Sequence, residues 1–387
     1  MDFSITGSVK PPQRKFPFLM LKEIYEQPEA VRNTIEQHFD PKVGSVRLDK
    51  FPFTLDQIKT LRHVIIAASG SSRHAGLCGK FMIEELAGVP VDVEYASEYG
   101  YRQPLKQDGA LLVAITQSGE TADTIAAQRI AAENGIKTLS ISNVLGSTIA
   151  READANVFTY AGTEFAVPAT KSFTTQLTAL YMFALFLSAG KQALDLDQIR
   201  ERMLMISQVP SLLSGAMEKL DRQAEAIARL FHKDESFIFL GRGVHYPVAL
   251  EGALKLKEIS YVNAEGYPTG ELRHGTTALI DERFPMVAIM TRDANSPESM
   301  LRYEKSLYVL NEVRKYSRRQ VLLISDEDAG IRELTDAQFF SFPRMDELLL
   351  PILEIVPLQL LAYHIAVMNG LDVDHPRNLE KAVTVDG

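Results

Sequence analysis

The stretch that most constrains this chain is Ala114–Thr124. An apolar run from Ala110 to Ile115 stops at Thr116-Gln117-Ser118-Gly119-Glu120-Thr121, and a helical pattern follows with Ile125, Ala126, Ile130 and Ala131 on one face. Strand, hydroxyl-rich turn and helix start form an arrangement that receives phosphate. The first amides of a helix lack partners inside it, and the aligned peptide dipoles leave about half a positive charge there. The hydroxyls of Thr116, Ser118 and Thr121 and the amide of Gln117 can donate to anionic oxygens. Gly119 lets the backbone come close. The same residues also fit an ordinary hydroxyl N-cap closing a βα turn.

The neighbouring segments repeat the pattern. After a helix over Phe18–His38, strands are predicted at His63–Ala68, Val91–Tyr95, Ala110–Ile115, Lys137–Ser142 and Asn156–Tyr160. The first ends in Ser69-Gly70-Ser71-Ser72 and runs into a helix reaching Ala87; a short helix lies near Ser147–Glu152. Strands alternating with helices give an α/β fold, a parallel sheet covered by helices on both faces. Ligands in such sheets sit beyond the carboxyl ends of the strands, where both hydroxyl-rich turns fall.

Residues 164–235 read as mainly helical, and the pattern then restarts. Ser236–Leu240 is a strand ending in Gly241-Arg242-Gly243, followed by a helix from Tyr246 to about Tyr261. Pro285–Met290 and Gln320–Ser325 are further strands, with a helix around Ser299–Lys315 between them. Aligning Gly70 with Gly243 brings the next strand ends, Ile115 and Met290, nearly into register, so the chain reads as a duplicated α/β domain. The second copy has Thr291-Arg292-Asp293 where the first has the hydroxyl cluster, which leaves phosphate binding to the first half. Tyr246 stands where a dinucleotide fingerprint needs a small residue, and no Gly-Lys-Ser/Thr has P-loop spacing, so neither NAD nor ATP is expected and no cofactor is.

Two domains also suit 387 residues, and 46% hydrophobic with 24% charged residues is the composition of a globular protein. A net charge of −9 argues against nucleic acid or a membrane surface as partner. The single cysteine, Cys78, allows no internal disulfide and reads as a buried apolar residue in a reducing compartment. Residues 1–20 show no apolar signal core. Leu177–Ala189 is too short to span a bilayer, and Leu348–Met368 carries Glu354, Gln359, His364 and two prolines, which suits a buried helix. The expected location is the cytoplasm.

Three further places can carry chemistry. Glu251, Lys255 and Glu258 fall at i, i+4 and i+7 on one helical stripe. That is either a surface ion-pair ladder or, given the Ala, Leu and Ile around it, a stripe facing a cleft with a carboxylate able to act as general base. Gly270-Glu271-Leu272-Arg273-His274-Gly275 displays a histidine on a tight loop, either simply solvated or suited to proton transfer. The chain closes with Asp374-His375-Pro376-Arg377-Asn378-Leu379-Glu380-Lys381-Ala382-Val383-Thr384-Val385, whose apolar finish reads as packed into the protein. A lysine in water is neutral only about once in 10³ molecules at pH 7. Burial of Lys381 is therefore expected if it is to be an amine nucleophile for a ketone carbon.

Together these residues resemble the double sugar-isomerase (SIS) domain of the glucosamine-6-phosphate synthase family. The resemblance runs from about Leu21 to the C-terminus and is dense at Lys22–Pro28, Gln117–Thr121, Thr170–Gln176, Ala249–Tyr261 and Pro376–Val385. It implies two tandem SIS domains, each a three-layer αβα unit: residues 1–45 as an N-terminal tail and helix, 46–205 as the first, phosphate-binding domain, and 206–387 as the second with a catalytic C-terminal tail. It implies that Ser71, Ser72, Thr116, Gln117, Ser118 and Thr121 hold a sugar phosphate, with Val167 and Lys255 also lining the site. Glu258 would move the proton between C1 and C2. His274, donated by the neighbouring subunit of a homodimer, would open the ring, and Lys381 would form a Schiff base with the C2 carbonyl of fructose 6-phosphate.

The chain departs from the family in three ways. Position 2 is Asp2 and the first strand starts near residue 63, so a glutaminase domain is not expected in this chain and ammonia must come from elsewhere. Ala169 stands where the family commonly has a ligand-contacting serine, and Glu380 replaces a small residue. Three activities stay open on these residues. One is isomerisation of fructose 6-phosphate with amination at C2 by ammonia. The second is deamination of glucosamine 6-phosphate, and the third is sugar-phosphate sensing without catalysis.

Overall fold

Each predicted apolar run that ends in a glycine or hydroxyl turn is a buried parallel strand in the computed structural model, which describes residues 15–48, 51, 53–101, 108–326, 328, 331 and 336–381. The chain divides into two units. One takes the residues up to Phe165, Ala169–Pro210 and those from Glu380 onward; the other takes Ala166–Pro168 and Ser211–Leu379.

The first unit holds β1 (His63–Ala68), β2 (Val91–Tyr95), β3 (Ala110–Thr116), β4 (Lys137–Ser142) and β5 (Ala155–Phe158). They form one parallel sheet in the order β2-β1-β3-β4-β5. Every residue of β3 is buried, because helices cover both faces. On one face Ile65, Leu112 and Ala114 pack with Ile125, Ala131 and Ile149. On the other lies the Gly70–Ala87 helix, close enough that a Cβ on Gly76 would sit 2.8 Å from Ile66 Cγ2. Against that helix packs Lys171–Lys191, where a Cβ on Gly79 would sit 2.8 Å from a Leu180 methyl.

The second unit repeats this design. Its strands are β6 (Ser236–Gly241), β7 (Asn263–Pro268), β8 (Met286–Met290), β9 (Gln320–Ser325) and β10 (Gln338–Phe342), in the order β7-β6-β8-β9-β10 and again all parallel. Position for position this is the strand order of the first unit. The Pro297–Val313 helix packs Tyr303, Val309, Leu310 and Val313 on one face of the sheet. His245–Ser260 and Leu350–Met368 cover the other, with Gly252 pressed so near Leu358 that a Cβ would lie 2.6 Å from it.

Several expectations need correction in detail. The single helix over Phe18–His38 is two helices, Leu19–Tyr25 and Gln27–His38, separated at Glu26 beside Pro28, which has no amide to donate. The last strand of the first unit stops at Phe158, because Tyr160 takes φ +50°. Four strands were not expected: β7, an edge strand carrying Asn263, Glu265 and Gly266, β10, and the short antiparallel pair Phe39–Asp40 and Ser45–Val46. Lys171–Lys191 extends well beyond the apolar run inside it. Both it and Leu350–Met368 are long and apolar enough to cross a membrane, yet 89% of the most apolar window of each is buried inside the protein. Cys78 is buried in the first unit as expected. The apolar finish at Ala382–Val385 lies outside the described residues.

Candidate active site

The phosphate-type turn is built by the end of β3. Gly119 adopts φ +73°, and a Cβ there would lie 2.1 Å from Ser147 Oγ, so no other residue fits without moving the next loop. Thr116 Oγ1 and Thr121 Oγ1 meet at 2.8 Å across the turn, and Ser118 Oγ accepts the Glu120 amide at 3.1 Å. The Glu120 carboxylate accepts the Thr148 amide at 2.8 Å, and that amide with the Thr148 hydroxyl holds its carboxyl below the usual range. Thr121 occupies the N-cap of Ala122–Glu133 but makes no side-chain cap bond; its hydroxyl is turned to Thr116. Thr116 Oγ1 also accepts the Gly119 amide at 3.4 Å, so Thr116 and Ser118 close the turn itself, while the helix start at Thr121 has no side-chain cap.

The second turn lies alongside, because Ala68 of β1 pairs with Ile115 of β3. Gly70 takes φ +53°, and Ser69, the N-cap of the Gly70–Ala87 helix, also makes no side-chain cap bond. Ser72 Oγ accepts from Gln176 Nε2 at 3.0 Å. The structure thus brings Ser71, Ser72, Thr116, Gln117, Ser118 and Thr121 to one carboxyl edge of one sheet. Gln117 also lines a cleft of about 550 Å³ in this unit with Asn143, Tyr160, Gly162, Thr163 and Glu164.

Glu164 was missed at the level of sequence. Its side chain is wholly buried and is bonded on both oxygens: Oε1 accepts the amides of Thr170 at 2.9 Å and Ser172 at 3.1 Å, and Oε2 accepts the Ser172 hydroxyl at 2.8 Å. Lys381 Nζ donates to the same Oε2 at 2.7 Å. Burial alone would raise the Glu164 carboxyl, but Lys381 and these amides override it and hold it below the usual range. The expectation of a buried amine is corrected accordingly. Lys381 keeps 27% of its side-chain surface exposed and is paired with a carboxylate instead of being desolvated. A signal was available: Thr170 to Gln176 is a polar run at the start of an otherwise apolar helix, and all of it is buried. Buried polar groups need partners.

In the second unit the stripe Glu251-Lys255-Glu258 is interior, which excludes the surface ladder. Lys255 and Glu251 have no exposed side-chain surface; Lys255 Nζ lies 2.7 Å from Glu258 Oε2 and 3.4 Å from Glu251 Oε1. Burial acts to lower Lys255, but the two glutamates outweigh it and raise it, so it stays an ammonium. Glu258 keeps 20% of its side-chain surface open, enough to reach a ligand. His274 is exposed between two short 3-10 turns, Glu271–Arg273 and Thr276–Leu279. Val167 is tied to the tail of this unit, its amide donating to the Asp374 carbonyl at 2.9 Å.

The turn of the second unit equivalent to the phosphate turn is filled by the protein itself. His245 places Nε2 3.1 Å from Glu347 and Nδ1 2.9 Å from Glu354, while Thr291 donates to Glu354 and Arg302 pairs with Glu347. Burial alone would lower His245, but the carboxylates drive it up to about 10. Burial would raise Glu347, but His245 and Arg302 hold it down at about 2. Both carboxylates are thus committed to partners within this unit.

Two parallel five-stranded sheets of identical order, each covered by helices and one of them opening a hydroxyl turn at its carboxyl edge, define a class. The chain belongs to the SIS domain family, whose pattern matches residues 57–186 and 230–369. More particularly, it is 43% identical over all 387 residues to a glutamine–fructose-6-phosphate aminotransferase (isomerizing) of Chlorobaculum tepidum. It is 44% identical over 96% of its length to the enzyme of that name from Methanosarcina acetivorans. The chain spans about three fifths of the length of these relatives, 61% and 59%. Among solved structures, the C-terminal domain of glucosamine-fructose-6-phosphate aminotransferase from Francisella tularensis is 39% identical, with a TM-score of 0.87 over 93% of this chain and 99% of that one. A glucosamine-6-phosphate deaminase from Thermotoga maritima, 22% identical with a TM-score of 0.70 over 95% of this chain and all of that one, shares the fold.

Proposed function

We propose that this chain is a sugar-phosphate isomerase of the aminotransferase type, converting fructose 6-phosphate and ammonia to glucosamine 6-phosphate. The observation that carries the reading is an uncapped hydroxyl turn in the same unit as a lysine amine held on a buried carboxylate. Uncharged donors suit a dianionic phosphate, and an amine is the group that activates a ketone without a cofactor. Identity of 39–44% to aminotransferases along the chain supports the substrate class.

In this reading Ser71, Ser72, Thr116, Gln117, Ser118 and Thr121 hold the phosphate, and Val167 and Lys255 belong to the sugar site. Lys381 Nζ attacks the C2 carbonyl, water leaves, and a protonated imine forms whose carbon is open to ammonia. Glu258, paired with Lys255 Nζ at 2.7 Å, moves a proton between C1 and C2. His274, supplied by a second copy in a homodimer, opens the ring. Ammonia adds to the imine carbon and Lys381 leaves as the amine before Glu258 acts, so the carbon that receives the proton already carries the ammonia nitrogen. A cytoplasmic site suits a single buried thiol.

Deamination uses the same groups in reverse, so direction is a matter for measurement. The test incubates the protein with fructose 6-phosphate plus ammonium and, separately, with glucosamine 6-phosphate, and follows free ammonia. Consumption in the first mixture is expected. Rapid release in the second with negligible consumption in the first would favour the deaminase, and silence in both would contradict the proposal.

A further inference from the structure

Two features of Glu164 have no explanation in the mechanism just given. Its carboxylate is placed with more hydrogen bonds than a simple loop anchor needs, and its Oε2 is the oxygen that holds Lys381. Its donors are backbone amides and hydroxyls at the head of the Lys171–Lys191 helix, so it cannot swing away with the lysine. The same helix sends Gln176 to Ser72, one hydroxyl of the glycine turn beside the phosphate turn. One rigid element therefore sets both the amine's partner and a phosphate-side hydroxyl. The charged groups on the neighbouring elements are Glu23, whose Oε1 accepts the Phe165 amide at 2.5 Å, and Lys171, which lies 2.7 Å from Glu26. Lys171 is thus committed to a carboxylate of its own.

We propose that Glu164 is the fixed counter-ion of the Lys381 nitrogen through the covalent step, a positioning residue that keeps that nitrogen charged as an imine. The inference rests on Lys381 being the amine that attacks C2. The balance of the step makes a stationary anion useful. A ketone and an ammonium give a protonated imine and water: one C–N double bond forms, the C2–O bond breaks, and the oxygen leaves with two protons from nitrogen. The nitrogen carries one positive charge before and after. A carboxylate already on it needs no rearrangement, and an opposite charge at this range favours the protonated form. The protonated imine makes C2 the electrophile that ammonia attacks, so its charge governs the exchange of Lys381 for ammonia.

The test reduces the complex of the whole chain and fructose 6-phosphate with cyanoborohydride across a pH series and counts adduct on Lys381 by mass spectrometry. Cyanoborohydride reduces the protonated imine and not the neutral one, so the alkaline limb reports where the imine loses its proton. Glu164→Gln keeps the shape and an oxygen for the Thr170 and Ser172 amides but removes the charge. It is expected to move that limb at least about one pH unit toward acid, a ten-fold loss of adduct at a pH on the wild-type limb. Ser172→Ala keeps the charge and removes a hydroxyl from Oε2; it is expected to move the limb the other way, and it decides the matter if Glu164→Gln does not fold. Adduct that falls equally at every pH in Glu164→Gln, or a limb unmoved in both variants, would make Glu164 a loop anchor only and overturn the inference. Absence of adduct on Lys381 in the wild type would overturn the nucleophile assignment itself, and the two failures are told apart because one shows in the wild type and the other only in the variants.

Discussion

At Gly119 the backbone has φ +73° and the space a side chain would take belongs to Ser147. Gly135 has a similar φ of +77° but nothing within 4 Å of its missing Cβ. Gly135→Ala therefore adds only left-handed strain, about 1–2 kcal/mol. Gly119→Ala adds a collision in the phosphate turn and is expected to cost more in urea unfolding and to abolish affinity for inorganic phosphate. Equal effects in the two variants would mean that the turn is not shaped around Gly119. Ser118→Ala removes one donor to a charged oxygen, worth about 1.5–3 kcal/mol, and is expected to raise KM for fructose 6-phosphate about ten-fold or more with kcat little changed. Glu258→Gln is expected to keep sugar-phosphate binding and to lose deuterium uptake from solvent at C1. Full uptake would remove Glu258 from its role.

At the scale of elements, the buried cluster of His245, Glu347, Glu354 and Arg302 ties the start of the His245–Ser260 helix to the end of β8 and to Leu350–Met368. Its effect on stability has a definite sign. His245 is raised from 6.5 to about 10, so its contribution is full below about pH 6.5 and is lost as pH rises through 10. Glu347 is lowered from 4.5 to about 2, so its contribution is full above about pH 4.5 and is lost as pH falls through 2. Removing one member leaves buried charge unpaired, at a cost of about 3–5 kcal/mol. His245→Leu is expected to lower the urea midpoint at pH 6 and to differ much less from wild type near pH 10. A deficit that is the same at both pH values would show that His245 acts by packing alone. The cluster was not legible beforehand. Glu354 was visible as a charge in an apolar helix, but its partners, His245 and Thr291, lie on other segments far away in the chain. The Glu251-Lys255-Glu258 stripe was legible because helical spacing alone puts it on one face; its burial was not, because spacing does not say what packs against that face.

For the whole molecule, the duplicated sheet could be read from the recurrence of apolar run, glycine turn and helix, since a parallel strand buried on both faces leaves an unbroken apolar run. The edge strands β7 and β10 escaped because polar residues break their apolar runs: Asn263, Glu265 and Gly266 in β7, and Gln338 and Ser341 in β10. Of the proposed groups, those next to a turn or on one helix stripe were found from local spacing. Glu164 was not, because its meaning depends on Lys381, which is more than two hundred residues away in the chain. In the proposed reaction nitrogen enters and leaves C2 of a hexose 6-phosphate through the amine of Lys381. The most direct measurement is exchange of ¹⁵N between labelled ammonium and glucosamine 6-phosphate, read by mass spectrometry, because exchange does not depend on the direction of net flux. Label is expected in the amino sugar with the wild-type protein and none with Lys381→Ala. Exchange undiminished in Lys381→Ala, or absent from the wild type, would contradict it.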